Sequence, residues 1–561
     1  MDTNSFDAIV VGTGISGGWA AKELTEKGLK TLVLDRGRMV RHGEYPTATK
    51  DPWELPYANR ITQETRQRKP IQSRTGYPTP ANTHWFVDDL DNPYVEVNKF
   101  DWLRGYHVGG KSLMWARQSY RLSPLDFESN AKEGIAIPWP VTYDEIAPWY
   151  DKVETFAGIS GSTDGLAQLP DGRFLPPHDL NCVEQEFKTR LDQKLGRKLI
   201  IGRCANLTGP LTHNESPQRG TCQSRNLCIR GCPYGAYFSS LSATLPSAER
   251  TGNMTLLANQ IVYEIVYDED LGRATGVRTI DAETGKTTEY YSKIVFLCAS
   301  SLGSAFVMLN STSSRFPNGF GNDSGELGHN IMDHNKPGNS SAQVEGFLDV
   351  AYTGRRPNGF YIPRYRNVGK DKRDYLRGFG YQGRANRANF SRFNDSALIG
   401  DELKAAVRDP GPWSIGMTAF GEILPYHENF ATLDRTKKDK HGLPLLKIDA
   451  VVRENEIKMQ EDMRNDAAEM LEAAGYKNVT VRSDSYNVGN SIHEMGTARM
   501  GTDPKKSVLN KHNQVHACKN VFVTDGSFMV SSACQNPSLT YMAFTARAAA
   551  YAVDELKKGN L

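Results

Sequence analysis

The sequence predicts an α/β protein that opens on a parallel, doubly wound sheet, and three features of its first 35 residues carry that expectation. Asp7–Val11 reads as a buried parallel strand, apolar without a break from Ala8 on. Gly12-Thr-Gly14-Ile15-Ser16-Gly17 follows at once and leads into Trp19–Lys27, which has helical character. Lys30–Leu34 is a second β-rich run and ends at Asp35, 23 positions after Gly12. Strand, GxGxxG, helix, strand and acid in that order form a dinucleotide-binding, Rossmann-like fingerprint. Its first glycine allows the tight turn, its second lets backbone approach a pyrophosphate, and its third lets helix and strand pack closely. Free N–H groups at the helix start suit phosphate oxygens, and Asp35 can accept from ribose hydroxyls. The motif alone does not choose between NAD and FAD.

At 561 residues the chain exceeds one compact core and is expected to hold two domains. Hydrophobic residues make up 39%, and the 50 glycines raise the apolar share to about 48%, an ordinary globular value. Charged residues at 24% with a net charge of +2 exclude a disordered chain and a nucleic-acid binder that relies on bulk charge. No apolar run approaches the roughly 18–20 residues of a bilayer span; Ile294–Ala299 is strand-sized. The stretch after Met1 is acidic and polar and does not read as an export signal. Eight cysteines are too sparse for a disulfide scaffold, yet Cys222, Cys228 and Cys232 fall within eleven residues.

Further along, Leu103–Trp115 (LRGYHVGGKSLMW) resembles the glycine-rich signature of the glucose–methanol–choline (GMC) flavoprotein oxidoreductases. Other segments resemble that family in its own order. They are Phe296–Asn310, then Gly325–His334 (the "GxNLMDH" stretch), and Glu422–Pro425 with Asn429 and Leu433 of a substrate-domain strand pair. His493–Gly501 follows as "HxxGTxRMG", and Val523–Ser527 with Asn536–Thr540 match the terminal flavin loop and helix. The resemblance runs from about residue 6 to 555 and implies FAD as the cofactor. It implies contacts from Gly12, Gly14, Ile15, Ser16, Gly17, Asp35, Arg36, Gly109, Gly110, Ser112, Met114, Val262, Asp525, Gly526, Asn536 and Ser538. Some members tether the flavin through a histidine two residues after the loop serine. That position is Met114 here, so noncovalent FAD is expected.

Oxidising an alcohol by hydride transfer needs a group to take the hydroxyl proton, and a neutral imidazole suits that work. His493 stands at the family's catalytic histidine. Asn536 stands at its second site position, where an amide can hold the substrate hydroxyl and the developing alkoxide.

The segment Gly220–Ala236 spaces its thiols as C-x5-C-x3-C-P, an ending similar to ferredoxin runs. It resembles the cluster insert of bacterial FAD-dependent glucose dehydrogenase catalytic subunits, which implies a 3Fe–4S centre on Cys222, Cys228 and Cys232. Zinc shared with His213 or Cys204, and plain buried cysteines, are the alternatives. A cluster implies a dehydrogenase that passes single electrons to a redox partner rather than an oxidase.

The resemblance implies two interleaved domains. The FAD-binding domain takes 1–48, 98–130, 240–340 and 487–561. An α+β substrate domain on an antiparallel sheet takes 49–97, 131–239 and 341–486, with the cysteine loop at 220–236. Leu169–Pro177 and 216–218 read as loops, Glu454–Gly475 as an amphipathic helix ending at a glycine, and Ser538–Lys557 as a helix aimed at the flavin. Seven of eight tryptophans precede residue 150, which suits a saccharide as well as a core. The segments Gly105–Gly109 and Ser73–Tyr77 resemble the glucoside 3-dehydrogenase subgroup, so oxidation at ring carbon 3 is expected, with carbon 1 of glucose, or another sugar or polyol, as alternative. An inactive scaffold subunit is disfavoured by the intact His493 and Asn536. The implied partners are a small subunit bearing a twin-arginine signal and a cytochrome acceptor. The expected compartment is then the periplasm by co-export, with the cytoplasm as alternative.

Overall fold

Ser5–Val11 (β1) turns into the helix Ile15–Glu26 (α1) and returns as Thr31–Leu34 (β2) in a computed structural model describing residues 4–211, 219–352, 357–388, 390–393, 396–483 and 486–561. β1 sits inside an eight-stranded sheet, parallel to β2 on one side and to Thr287–Leu297 on the other. Met254–Leu257 and Cys518–Val523 extend the parallel set at its two flanks. Ala8, Ile9 and Val10 are fully buried because both faces of the sheet are covered: Ala8 and Val10 pack with Ala20, Leu24 and Ala549 of helices, and Ile9 with Ile265 and Val277 of antiparallel strands. α1 packs against the C-terminal helix Ser538–Lys557. An antiparallel hairpin, Gln260–Asp268 with Arg273–Asp281, continues from Thr287–Leu297.

A second, seven-stranded sheet is centred on Phe379–Arg387 and Trp413–Glu422, paired antiparallel from Phe379↔Gly421 to Arg387↔Trp413. Alternation sends Tyr381, Ile415 and Met417 into a core closed by Met459, Met463 and Met470 of the helix Glu454–Ala473. Each such side chain contributes about 1.5–3 kcal/mol by leaving water. A three-stranded sheet joins Phe430–Lys438, Pro444–Asp449 and Val95–Glu96.

The helix expected over 454–475 ends at Ala473, and Gly475 leaves it at φ +76. Ile423–Pro425, expected within a strand pair, lie beyond the strand end at Glu422. The Ile423 N–H donates to Asp333 O (3.2 Å) and the Leu424 N–H to Glu456 Oε1 (3.1 Å) instead of to a neighbouring strand. His334–Asn335 and Ser340–Val344, at the end of the segment 240–340, pair with Trp413–Glu422 in the second sheet. The loop expected at 216–218 lies outside the described residues. Among the described residues no helix is long and apolar enough to cross a membrane.

Candidate active site

A cavity of about 530 Å³ runs from the glycine turn after β1 to the second sheet. Gly12 stands at φ +99, where a Cβ would meet Cys298 O at 2.5 Å. A Cβ on Gly17 would lie 1.9 Å from Gly12 O, so this glycine seats α1 on the turn and does not reach the cavity. At Gly14 a Cβ would meet nothing within 4 Å, and the residue lines the cavity with Gly12, Ile15 and Ser16. α1 has no side-chain cap and no acid in its first turn, so its free N–H groups and positive dipole end remain for an anion.

Asp35 lines the same end, and burial pushes its carboxyl up to about 6. It accepts from the N–H groups of Gly37 (2.8 Å) and Thr13 (3.1 Å) and from the Thr13 hydroxyl. Arg36 stacks on Tyr106 at 3.8 Å. Gly110, Met114, Val262, Gly526 and Ser538 continue the wall. Gly109, Ser112 and Asp525 stand behind it. The Gly109 N–H donates to Thr13 Oγ1 (2.8 Å), and buried Ser112 donates to Gly109 O (2.5 Å) and accepts from the Ser240 N–H (3.1 Å). Asp525 accepts from Ser304 Oγ (2.5 Å) and the Ser527 N–H (2.9 Å).

The far end carries the two residues that the sequence singles out for chemistry. His493 and Asn536 both line the cavity, with Asn536 Nδ2 3.5 Å from His493 Nε2. The other imidazole nitrogen, Nδ1, lies 2.9 Å from His334 Nδ1. Asp333 shapes the loop that presents His493. Its oxygens accept from the N–H groups of Gly489 (2.8 Å), Ser491 (3.1 Å) and His493 (3.1 Å) and from the Tyr486 hydroxyl (3.0 Å). Burial, then the His334 ring, then Lys111 and Lys336 hold His493 well below its ordinary 6.5. Lys111 is itself paired with Glu494 at 2.5 Å. His493 is therefore neutral at rest.

Residues 6–336 match the N-terminal profile and residues 425–545 the C-terminal profile of the GMC oxidoreductases. The chain belongs to the GMC oxidoreductase family. It is 28% identical to the 2-methyl-1,2-propanediol dehydrogenase of Mycolicibacterium austroafricanum, over 97% of this chain and 94% of that one. It is 26% identical to the fructose dehydrogenase large subunit of Gluconobacter japonicus, over 100% of this chain and 99% of that one. The solved pyridoxine 4-oxidase of Mesorbium loti shares the fold at TM-score 0.59 and 15% identity, covering 98% and 99% of the two chains.

FAD, the family's cofactor, fits this GMC cavity: an uncapped helix start and open Gly14 suit its pyrophosphate, while Met114 and Val262 offer apolar walls to its rings. A thioether at Met114 offers no nitrogen for a flavin link. Acid precipitation of the holoprotein is expected to release all FAD to the supernatant, and a pellet that stays yellow through a denaturing wash contradicts this. A second expectation concerns pH. A base works only unprotonated, and a lowered pKa moves its acid limb to lower pH. Flavin reduction by substrate should therefore stay flat from pH 8 down to about 6, where an ordinary histidine is already largely charged. A limb centred at 6.5 or above would count against the neutral base.

The cysteine loop borders this site, because Ile229 lines the cavity. All eight cysteines are free thiols, and Cys222 feels both Cys228 and Cys232. Even so, no group of three or more His, Cys, Asp or Glu side chains among the described residues converges as a metal ion requires. As placed, the three thiols do not form a ready cluster site. Cys204 is buried against Ser160 Oγ at 3.3 Å, and His213 lies outside the described residues.

Sequence reasoning missed His334, Gln382, Thr13 and Ile229. His334 was in plain view at the end of the matched "GxNLMDH" stretch. Gln382 carries no motif, and only its place in the second sheet brings it to the cavity.

Proposed function

We propose that this chain is an FAD-dependent sugar or polyol dehydrogenase that oxidises a secondary hydroxyl of a glucoside or related saccharide at ring carbon 3. The observation that carries the chemistry is that Asn536 Nδ2 and His493 Nε2 lie 3.5 Å apart on the cavity wall, so one hydroxyl oxygen beside the pair can reach both. There it accepts from Asn536 and donates to His493. The hydroxyl proton passes to Nε2, the C–H bond yields its electron pair with the hydrogen, and the carbinol becomes a carbonyl whose oxygen Asn536 still holds. When bound, FAD supplies the hydride acceptor. A polyhydroxylated substrate is supported by relatives named for fructose and for a diol. Carbon 3 is supported by the resemblance of Gly105–Gly109 and Ser73–Tyr77 to glucoside 3-dehydrogenases, since Tyr77 and Gly105 line the cavity. A panel of glucosides, free aldoses and polyols assayed with an artificial electron acceptor, with products mapped by NMR, tests this. A 3-keto product is expected, a lactone selects oxidation at carbon 1, and no flavin bleaching by any sugar or polyol overturns the assignment.

The electron route we propose leads past the cysteine loop to a cytochrome-type acceptor. Thiol spacing supports a 3Fe–4S centre on Cys222, Cys228 and Cys232, although the thiols would have to draw together to hold it. Anaerobically purified protein should carry roughly three irons per chain, and iron-free, fully active protein would remove the cluster. The kinship with a protein named as a large subunit supports a small partner subunit. With it we place the chain in the periplasm, exported by the partner's twin-arginine signal. Deleting the partner should leave the activity in the cytoplasmic fraction.

A further inference from the structure

We propose that Gln382 and His334 are positioning residues that fix which atoms of Asn536 and His493 face the substrate. The inference rests on the reading of His493 as the base and adds what sets its proton.

Four side chains form one line across the far end of the cavity. Gln382 Nε2 donates to Asn536 Oδ1 at 2.6 Å, Asn536 Nδ2 faces His493 Nε2 at 3.5 Å, and His493 Nδ1 meets His334 Nδ1 at 2.9 Å. The two outer members belong to the second sheet, and the two inner ones to loops on the flavin side.

The first lock acts on an amide. A side-chain amide has a donor end and an acceptor end, and a half-turn exchanges them. With its Nε2 on the oxygen of Asn536, Gln382 leaves the NH2 of Asn536 toward His493. With the amide turned over, a carbonyl oxygen would face the base's lone pair and would repel the charge that grows on the substrate oxygen. Strand alternation puts Gln382 in this place: its neighbour Tyr381 is buried in the sheet's core, so Gln382 points the other way, into the cavity.

The second lock acts on a tautomer. Two neutral imidazoles joined nitrogen to nitrogen need one donor and one acceptor. His334 is fully buried, and its Nε2 has no hydrogen bond of full geometry. The backbone of Ala533, Gln535 and Ser532 acts on the His334 ring as acceptor, and because Nδ1 is taken by His493 these acceptors fall to Nε2. A ring nitrogen set among carbonyls keeps its proton, which leaves His334 Nδ1 as the acceptor. His493 Nδ1 therefore carries the hydrogen, and the lone pair on Nε2 faces Asn536 and the substrate. Both ends of the line specify the same arrangement, an N–H and a lone pair side by side, which is what a hydroxyl needs in order to accept and donate at once. Asp333, Asp101, Lys111, Lys336 and Glu494 are charged groups around this loop; none of them bonds to either ring nitrogen of His493.

The test uses holoenzyme variants and reads anaerobic flavin reduction by the most reactive glucoside of the panel. Beside it, nitrogen NMR of protein labelled with 15N-histidine reads the tautomer directly. Gln382→Leu and the isosteric Gln382→Glu are both expected to slow reduction about 10- to 100-fold while FAD stays bound, because neither offers a donor at neutral pH. If Gln382 only fills space, Gln382→Glu will match wild type, and the first lock fails. His334→Phe should slow reduction to a similar degree and let His493 populate both tautomers. His334→Asn, whose oxygen lies near the lost Nδ1, should restore most of the rate. A wild-type spectrum with the His493 proton on Nε2 overturns the second lock even if no variant folds. If His493→Ala itself reduces flavin at the wild-type rate, the failure belongs to the base. If His493→Ala is slow while Gln382→Leu and His334→Phe are not, it belongs to the locks alone.

Discussion

His493→Ala is expected to fold, to bind FAD and to lose about 10²–10⁴ of the rate of flavin reduction, the usual contribution of a general base. The loop that carries residue 493 is held through backbone N–H groups on Asp333, so truncating the ring leaves those bonds in place. What disappears is the imidazole nitrogen that lies 3.5 Å from Asn536 Nδ2, where one hydroxyl oxygen beside the pair can touch both. Stopped-flow reduction at saturating substrate, with the flavin spectrum as control for occupancy, measures the loss. A wild-type rate in a fully flavinated variant would show that the proton leaves by another route.

Gly14→Val should separate cofactor binding from folding. Gly14 has φ −67, which any residue adopts, and a Cβ there meets nothing within 4 Å. The substitution costs the apo fold no more than about 1 kcal/mol of helix capping. Its methyl groups, however, project into the space where the phosphates must approach the N–H groups of α1. Losing two charge-assisted hydrogen bonds there weakens FAD binding on the order of 100-fold or more. Purified Gly14→Val is expected to be colourless yet to melt with the FAD-stripped wild type. Gly17→Ala provides the contrast, because its Cβ would lie 1.9 Å from Gly12 O; it should lower the melting point of the apo fold as well. A yellow Gly14→Val protein would mean that the pyrophosphate sits elsewhere.

Ser112 and Asp525 stand in flavin-type motifs, yet each spends its hydrogen bonds on neighbouring loops. Substitutions there should act through loop position and not through a lost contact to the cofactor.

The sequence by itself determined the glycine turn and the α/β class, and it singled out the two residues proposed to act on the substrate. Glycine spacing, a strand-length apolar run and an acid 23 positions on are properties of neighbouring residues, and local sterics read them directly. The HxxGTxRMG and Asn536–Thr540 segments were legible for the same reason, as short consecutive patterns. The tertiary structure alone decided who orients whom. Gln382 and Asn536 are 154 positions apart, and His334 and His493 are 159 apart. Their meeting depends on the pairing of Phe379–Arg387 with Trp413–Glu422 and of His334–Asn335 with that same strand, each set by long-range register. The cysteines show the converse. Their spacing is local and readable, but whether three thiols converge depends on the fold of the loop around them, and here they share a loop without closing on a point. A motif states which atoms are available. Register and packing, which sum many weak contacts between distant segments, decide where those atoms point.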